Sequence, residues 1–402
     1  MNSSNYWEQS YLDIMQEILQ VAEDTGVTPD RTGSGRVRVF GRDIRVDLSS
    51  GIIPIVTTRK INYEHGIEEL LWMIKGSYNI GDLKENTKPI WKLWAIEEKD
   101  IDAFIAKFFK DGEPEALGHL KENLMKQHIG SIGPMYGAFW RNNPAFNETA
   151  LLPFNNLLME DIPSDKLKRY GEEYEEMVFF VKNEFLEEAN SQSIKEEELK
   201  AFLDKRLIET SFPIKEQYIK KRYFESNDQL GEIIRGIKRR PYSARHCLSV
   251  WIPQFLPYEG TYSPHENILL GLGALAPCHV FTQFFVEKAL DGGANYLSLR
   301  MTQRSCDLPL GVCTNLIFYA TLLHLVAHCT DLRVKELIWS GGDVHIYANQ
   351  IEGAMEQVYR SPLPSPTIKI NPNVKDLFAI QRSDIEIIDY QHHPHIKYPV
   401  SV

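Results

Sequence analysis

The 402-residue chain is poor in cysteine, with five in all: Cys247, Cys278, Cys306, Cys313 and Cys329. An odd number with no C-x-x-C pair gives neither a disulfide framework nor a zinc ribbon, so no metal is expected and a reducing, cytoplasmic setting fits best. Basic charge is not in surplus either: 44 Lys and Arg stand against 55 Asp and Glu, a net −11. A nucleic-acid partner calls for a basic stripe and is not expected, although a local anion pocket remains open. No apolar run in the sequence approaches the ~20 residues that span a bilayer, so no membrane segment is expected. The N-terminal stretch MNSSNYWEQSYLDIMQEILQ lacks a basic segment followed by an apolar one, and reads as a polar start leading into an amphipathic helix. There is no G-x-G-x-x-G, and GSGR at 33–36 lacks the Walker lysine. Internal repeats and low-complexity linkers are missing. What is present, 43% apolar and 25% charged residues, describes an ordinary globular chain.

Patterning divides that chain. Residues 10–24 carry apolar positions at helical spacing. Val37, Val39, Ile44 and Val46 alternate with polar neighbours among turn-forming glycines, which predicts two or three antiparallel strands within 30–60. Ile67, Leu70, Leu71 and Ile74 make one face of a helix over 64–75, ended by Gly76. HCLSVWIP, HVFTQFFVE and NYLSLRMTQR read as strands, KELIWSG as a short one. TNLIFYATLLHLVAH, 314–328, is too apolar for an exposed helix and is placed in the core. A last helix puts Ile351, Ala354, Met355 and Val358 on one face. Residues 142–227 differ: rich in Glu and Lys, poor in Gly, with helical stripes at 174–185 and 199–207. They read as a charged helical insertion with no chemistry of its own. The expected organisation is a catalytic domain, 1–141 with 228–402, interrupted at 142–227. The order of strands and helices predicts an α+β layer fold and not an alternating βαβ series.

Several residue types in this pattern bear chemistry. Cys278 follows Pro277 and precedes a strand. It is either a packed core thiol or a nucleophile activated by a guanidinium such as Arg304. Arg31, Arg239, Arg240, Arg245 and Arg304 are either solvated surface cations or a set converging on a phosphate, which guanidinium groups chelate with paired bonds. Glu69, beside Leu70 and Leu71, is placed for partial burial, which raises a carboxyl pKa and suits it to proton transfer. Asn315 opens the apolar helix, as an N-cap or as a reader of an amide edge. His345 and Tyr347 share one face of an extended segment, where both can meet a hydroxyl.

Together these segments resemble the thymidylate synthase family, including its pyrimidine hydroxymethylase branch. The resemblance is carried by DRTGSGRVRVFG (30–41), EELLWMIKGSYN (68–79), IWKLWA (90–95), GPMYGAFWR (133–141), APCHVFTQFFV (276–286), QRSCDLPLGVCTN (303–315), GGDVHIYANQ (341–350) and HPHIKYPVSV (393–402). It runs over about 10–141 and 228–402, in family order. The resemblance implies a mixed sheet with packed helices, assembled as a homodimer. Its substrates would be deoxyuridylate (dUMP) and 5,10-methylenetetrahydrofolate. Cys278 matches the nucleophile that adds to C6 of the pyrimidine. Arg304 matches the arginine serving both that thiolate and the phosphate. Arg31, Ser305 and Arg245 match further phosphate contacts, Arg245 reaching across from the partner subunit, and Gln303 falls within the same substrate-binding run. Glu69 matches the organiser of proton transfers, Tyr136 the group assisting C5 proton removal, and Asn315 the reader of the O4/N3 edge. His345 and Tyr347 match the pair holding the 3′-hydroxyl. Asp307 matches the pterin contact. Ile90, Trp91, Trp94, Leu310 and Gly311 match the folate wall, over which the C-terminal tail ending in Val402 closes.

The chain departs from the family pattern at Ala244, where an arginine is expected, at Thr314, where an aromatic stands, at Lys92 in place of an aspartate, and in the 142–227 insertion. Asn315 favours uracil over cytosine, because a cytosine site prefers a carboxylate. The altered folate wall leads the sequence reading to a deoxyuridylate hydroxymethylase, in which water ends the reaction. Thymidylate synthesis by hydride transfer is the alternative, and a nucleotide-binding protein without catalysis is the alternative of another class.

Overall fold

The computed structural model describes residues 5–29, 33–110, 112–145 and 225–401. The chain divides into two compact units, Met1–Arg141 with Asp228–Val402, and Asn142–Asn227. The described strands are β1 (Arg36–Asp47), β2 (Asn143–Ala145), β3 (Glu225–Asn227), β4 (Cys247–Ser249), β5 (His279–Glu287), β6 (Tyr296–Asp307), β7 (Arg333–Tyr347), β8 (Thr367–Ile370) and β9 (Ile385–Ile388). In the second unit, β2 and β3 pair antiparallel. The helical stripes expected at 174–185 and 199–207 lie outside the described residues.

The first unit is built on a five-stranded sheet in the order β1-β7-β6-β5-β4. All neighbours are antiparallel except β6 and β7, which run parallel. The sheet is therefore mixed, as the sequence predicts. A parallel pair cannot be joined by a hairpin and needs a crossover. Here the crossover is the helix Cys313–Cys329, and 14 of its 17 residues are buried. Taken with the preceding turn, Leu308–Cys329 is 22 residues of mean hydropathy 1.7, long and apolar enough to cross a membrane, yet 78% of its most apolar stretch is buried inside the protein. It is a core helix, apolar on all sides because protein surrounds it on all sides.

Other helices pack around that centre. Tyr6–Thr25 lies against β1 and buries Trp7, Tyr11, Met15 and Ile18. Its buried Glu8 accepts hydrogen bonds from the Thr57 and Thr58 amides and from the Thr57 hydroxyl at 2.7–2.8 Å. Tyr63–Ile74 packs on the central helix, ends where Gly76 takes φ +79°, and presents Gly66 to Thr314 at 3.4 Å from where a Cβ would stand.

Three expectations are corrected. The region 30–60 holds one long strand instead of two or three, because the chain runs straight through Gly41 (φ +73°) in unbroken register with β7. KELIWSG is the first half of a 15-residue strand that continues through Gly341 and Gly342 to Tyr347. Met355 is half exposed, while Ala354 and Gln357 form the buried face of its helix. The helices Glu98–Phe108 and Pro114–His128 have no counterpart in the sequence reading.

Close packing behind the cleft gives a stability test. A Cβ on Gly137 would stand 2.8–2.9 Å from Met73 O, Met73 Cα and Ser77 O, all backbone atoms that cannot swing aside. Gly137→Ala is expected to lower unfolding free energy by about 1–3 kcal/mol, the usual cost of overpacking, as measured by denaturant unfolding.

Candidate active site

Cys278 sits at the mouth of β5, half-buried. Its amide donates to the Tyr136 hydroxyl at 2.9 Å, and its carbonyl accepts from the Arg304 amide at 2.8 Å. The Arg304 guanidinium is held under the cysteine loop by two carbonyls, Pro277 O at 2.8 Å and Ala276 O at 2.7 Å. It also lies over the Trp251 ring, 5.3 Å from the centroid, an arrangement that stabilises a cation without neutralising it. Tyr136 takes φ +31°, an unfavourable backbone state for a bulky residue. The ring stacks on His279 at 4.1 Å and 16°. His279 Nδ1 and the Tyr319 hydroxyl are 2.7 Å apart. Burial pushes the His279 pKa down to about 3, so the ring is neutral. Burial raises the Tyr136 phenol well above its ordinary value.

Glu69 faces the same cleft from the helix Tyr63–Ile74, one turn after Gly66. Its Oε1 accepts from Trp91 Nε1 at 3.1 Å. Desolvation raises the carboxyl to about 7, and the tryptophan bond works in the opposite direction without overcoming it. Trp91 is buried and meets Trp94 at 5.9 Å, Trp72 at 6.0 Å and Tyr136 at 6.2 Å. Glu69, Trp91, Trp94, Tyr136 and Cys278 therefore form one connected wall. Ile90 remains partly exposed beside it.

A second group gathers at the ends of β6 and β7. In register, Ser305 pairs with Asp343 and Asp307 with His345. His345 donates from Nδ1 to Asp343 Oδ1 at 3.0 Å, which fixes its tautomer, and its ring lies 5.1 Å from Tyr347. Arg38 and Arg36 hold the other Asp343 oxygen at 3.0 and 3.3 Å. Asp307 caps the turn Leu308–Val312 by accepting from the Leu310 amide at 3.1 Å. Burial raises the Asp307 carboxyl, against hydrogen bonds from Leu310 and Gln350 that lower it. A Cβ on Gly311 would lie 3.6 Å from Asp307 Cβ and 3.9 Å from Asn315 Oδ1, so Asp307, Gly311 and Asn315 share one corner.

Not every predicted residue joins these groups. Asn315 is not an N-cap: it is the third residue of its helix, whose cap is Val312. Gln303 is buried with its amide spent inside the protein, accepting from Trp339 Nε1 at 2.9 Å and donating to Ser305 O at 3.0 Å. Arg245 is exposed in the loop before β4, with no ion pair among the described residues. Arg31 and Val402 lie outside the described residues. The sequence reading missed His279, Trp251, Asp343 and Gln350. Only His279, next to Cys278, carried a local signal.

Among the described residues no group of three or more His, Cys, Asp or Glu could hold a metal ion. The fold and cleft set a cysteine between arginine, aromatic rings and an uncharged histidine. A family profile described as thymidylate synthase matches residues 9–402. A thymidylate synthase of Francisella philomiragia subsp. philomiragia is 31% identical over 394 residues, covering 98% of this chain and 100% of the relative. The chain belongs to the thymidylate synthase family, which transfers one carbon to C5 of dUMP with methylenetetrahydrofolate as co-substrate.

The raised Glu69 pKa has a consequence for stability. The unfolded carboxyl loses its proton near 4.5, whereas the folded one keeps it to about 7. The folded state therefore binds more protons between these values, and this group makes stability fall as pH rises from 4.5 to 7. Glu69→Gln is expected to be more stable than the parent above pH 7, by on the order of 3 kcal/mol, and equal to it near pH 4. Urea unfolding at the two pH values measures the difference.

Proposed function

We propose that the protein makes thymidylate: Cys278 adds to C6 of dUMP, C5 takes the one-carbon unit, and hydride ends the reaction. The observation that carries this reading is the bond from Trp91 to Glu69 inside a wall of aromatic rings. That wall suits a flat pterin and keeps water away from a carbon awaiting hydride. The folate would supply the one-carbon unit and the hydride; Trp91, Trp94, Leu310, Gly311 and Asp307 would hold it.

The protein's own groups have separable tasks in this reading. Arg304, fixed by two carbonyls, keeps positive charge near the thiolate and the phosphate. Addition of Cys278 to C6 moves electron density to C5 and O4, where Asn315 can donate to the developing oxyanion. The Asn315 amide makes no hydrogen bond to a described residue, which leaves both its donor and its acceptor for a uracil edge. Tyr136, braced by the Cys278 amide and by neutral His279, assists loss of the C5 proton. Glu69, titrating near neutrality, exchanges protons through water. His345, with Nδ1 committed to Asp343, presents Nε2 to the 3′-hydroxyl alongside Tyr347.

The second reading, hydroxymethylation, is favoured by the altered residues Thr314 and Lys92. Against it, the Thr314 hydroxyl donates back to Leu310 O at 3.2 Å, and Lys92 is exposed. The homodimer belongs to the same proposal. Its support is the exposed Arg245, which has no ion pair among the described residues, and a sheet face bearing Phe281 and Phe285, 39% and 60% exposed.

Purified protein given dUMP and methylenetetrahydrofolate is expected to produce dihydrofolate by absorbance and a nucleotide heavier by a methyl group. A product heavier by hydroxymethyl, with no dihydrofolate, replaces this reading with the second. Cys278→Ala is expected to abolish turnover while keeping dUMP binding measurable by calorimetry. Mixing the Cys278→Ala and Arg245→Ala proteins is expected to restore activity above either alone, since a mixed dimer then holds one intact site. No gain on mixing removes the trans role of Arg245.

A further inference from the structure

The side chain of Gln350 is fully buried and ties the second of the residue groups described above to the C-terminal tail. Its amide joins three separate parts of the cleft. Oε1 accepts from the Tyr347 amide at 3.1 Å, closing the turn after β7. Nε2 donates to Asp307 Oδ2 at 3.3 Å and to Pro399 O at 3.0 Å. One nitrogen thus bridges a half-buried carboxylate and the backbone of the C-terminal tail.

The tail is seated on the same short stretch of chain. Ile396 and Tyr398 are buried. The Tyr398 hydroxyl donates to Gln357 Oε1 at 2.8 Å, and Gln357 in turn donates to the Thr58 hydroxyl at 2.9 Å. A Cβ on Gly353 would stand 2.9 Å from the Tyr398 ring and 3.0 Å from Ile396, so a glycine is what admits the tail. Ser401 reaches Asn349 at 3.4 Å. Of these contacts, only the Gln350 bridge also touches a residue matched to the pterin contact.

We propose that Gln350 is a positioning residue: through the two N–H groups of one amide it couples the seating of the tail at Pro399 to the orientation of the Asp307 carboxylate. This deepens the functional reading and rests on its assignment of Asp307 to the folate. Both N–H groups of one amide are committed, one to each partner. Displacement of either partner therefore leaves a buried donor unsatisfied and weakens the hold on the other. Because the same side chain accepts from Tyr347, its rotamer is fixed from the nucleotide side before any folate arrives.

The test is Gln350→Met, which keeps length and apolar volume but removes every hydrogen bond. Full-length protein is assayed for dUMP affinity by calorimetry, for KM and kcat with methylenetetrahydrofolate, and for tail release by carboxypeptidase digestion read by mass spectrometry. Expected are a dUMP affinity within about threefold of the parent, a folate KM raised about tenfold or more, and tail digestion faster by a similar factor. These magnitudes follow from losing hydrogen bonds that involve a charged group. Gln350→Asn, which withdraws the bridging nitrogen by one bond length while remaining an amide, is the second variant should the first fail to fold. It is expected to show the same pattern at smaller size. Unchanged folate KM and unchanged digestion overturn the proposal. Faster digestion with an unchanged folate KM overturns the coupling to Asp307. If the parent shows no turnover with these substrates, the functional reading fails by itself, and the digestion rates still decide whether Gln350 holds the tail.

Discussion

The parallel pairing of β6 with β7 is the constraint on which the site depends. It is the one parallel pair in the five-stranded sheet, and it forces the chain to leave β6, cross the sheet and return. The departure is the turn Leu308–Val312, capped by Asp307; the crossing is the buried helix Cys313–Cys329, with Asn315 in its first turn. The return strand ends at His345 and Tyr347. Ser305, Asp307, His345 and Tyr347 are thus brought to one end of the sheet by a single topological requirement. Antiparallel β5 then sets Cys278 against Arg304 from the other side. Only the short segment 276–278 and the turn Leu308–Val312 lie outside these strands and the crossover helix, and each is pinned by hydrogen bonds to β6 residues. The placement of the site groups is inherited from strand register, which slips only at the cost of turning every side chain to the wrong face.

Desolvation does the second part of the work. The same burial that stabilises the core makes charge expensive inside the cleft, and it acts in opposite directions on acid and base. Glu69 rises to about 7 and His279 falls to about 3. At neutral pH the histidine is therefore a neutral ring for Tyr136 to stack on, and the glutamate is the group poised to exchange a proton. Around the Arg304 guanidinium, backbone carbonyls and the Trp251 face take the place of water. Among the described residues no carboxylate competes for this guanidinium.

How much of this was legible in the sequence follows from the range of each signal. Helical periodicity marked Tyr63–Ile74 and Cys313–Cys329 to within a residue or two, because apolar spacing along one segment is a local property. Glycine misled where Gly41 was read as a turn: it lies inside a paired strand, and only pairing between distant segments reveals that. The site residues were visible as motifs, and their gathering was not. That Glu69 meets Trp91, or that Gln303 is spent on Trp339, depends on side chains 22 and 36 positions apart. Asp343 and Gln350 escaped notice for the same reason. An aspartate two residues before a histidine, or a glutamine after an asparagine, carries no local pattern; each acquires a role only when β1 or the tail arrives beside it.

The tail itself illustrates how a buried cation can organise its neighbours. Arg59 is 4% exposed and has no carboxylate partner among the described residues. Its guanidinium donates to Pro309 O, lies 3.8 Å from Cys313 Sγ, and sits 4.9 Å from the Tyr398 ring centroid, while its Nε has no partner. A charge so placed is costly to bury and gains from every polar or π contact offered to it. Tyr398 is one of the few such contacts, and it comes from the tail. Withdrawal of the tail would strip a ring face from an under-compensated cation beside Pro309 and Cys313, in addition to breaking the bond from Tyr398 to Gln357. The position usually held by an aromatic side chain at 314 is here a threonine whose hydroxyl is turned back onto Leu310. Cohesion between the tail and the turn Leu308–Val312 with its cap Asp307 therefore draws on Arg59 and Gln350, two polar groups that the hydrophobic pattern of the sequence could not have indicated.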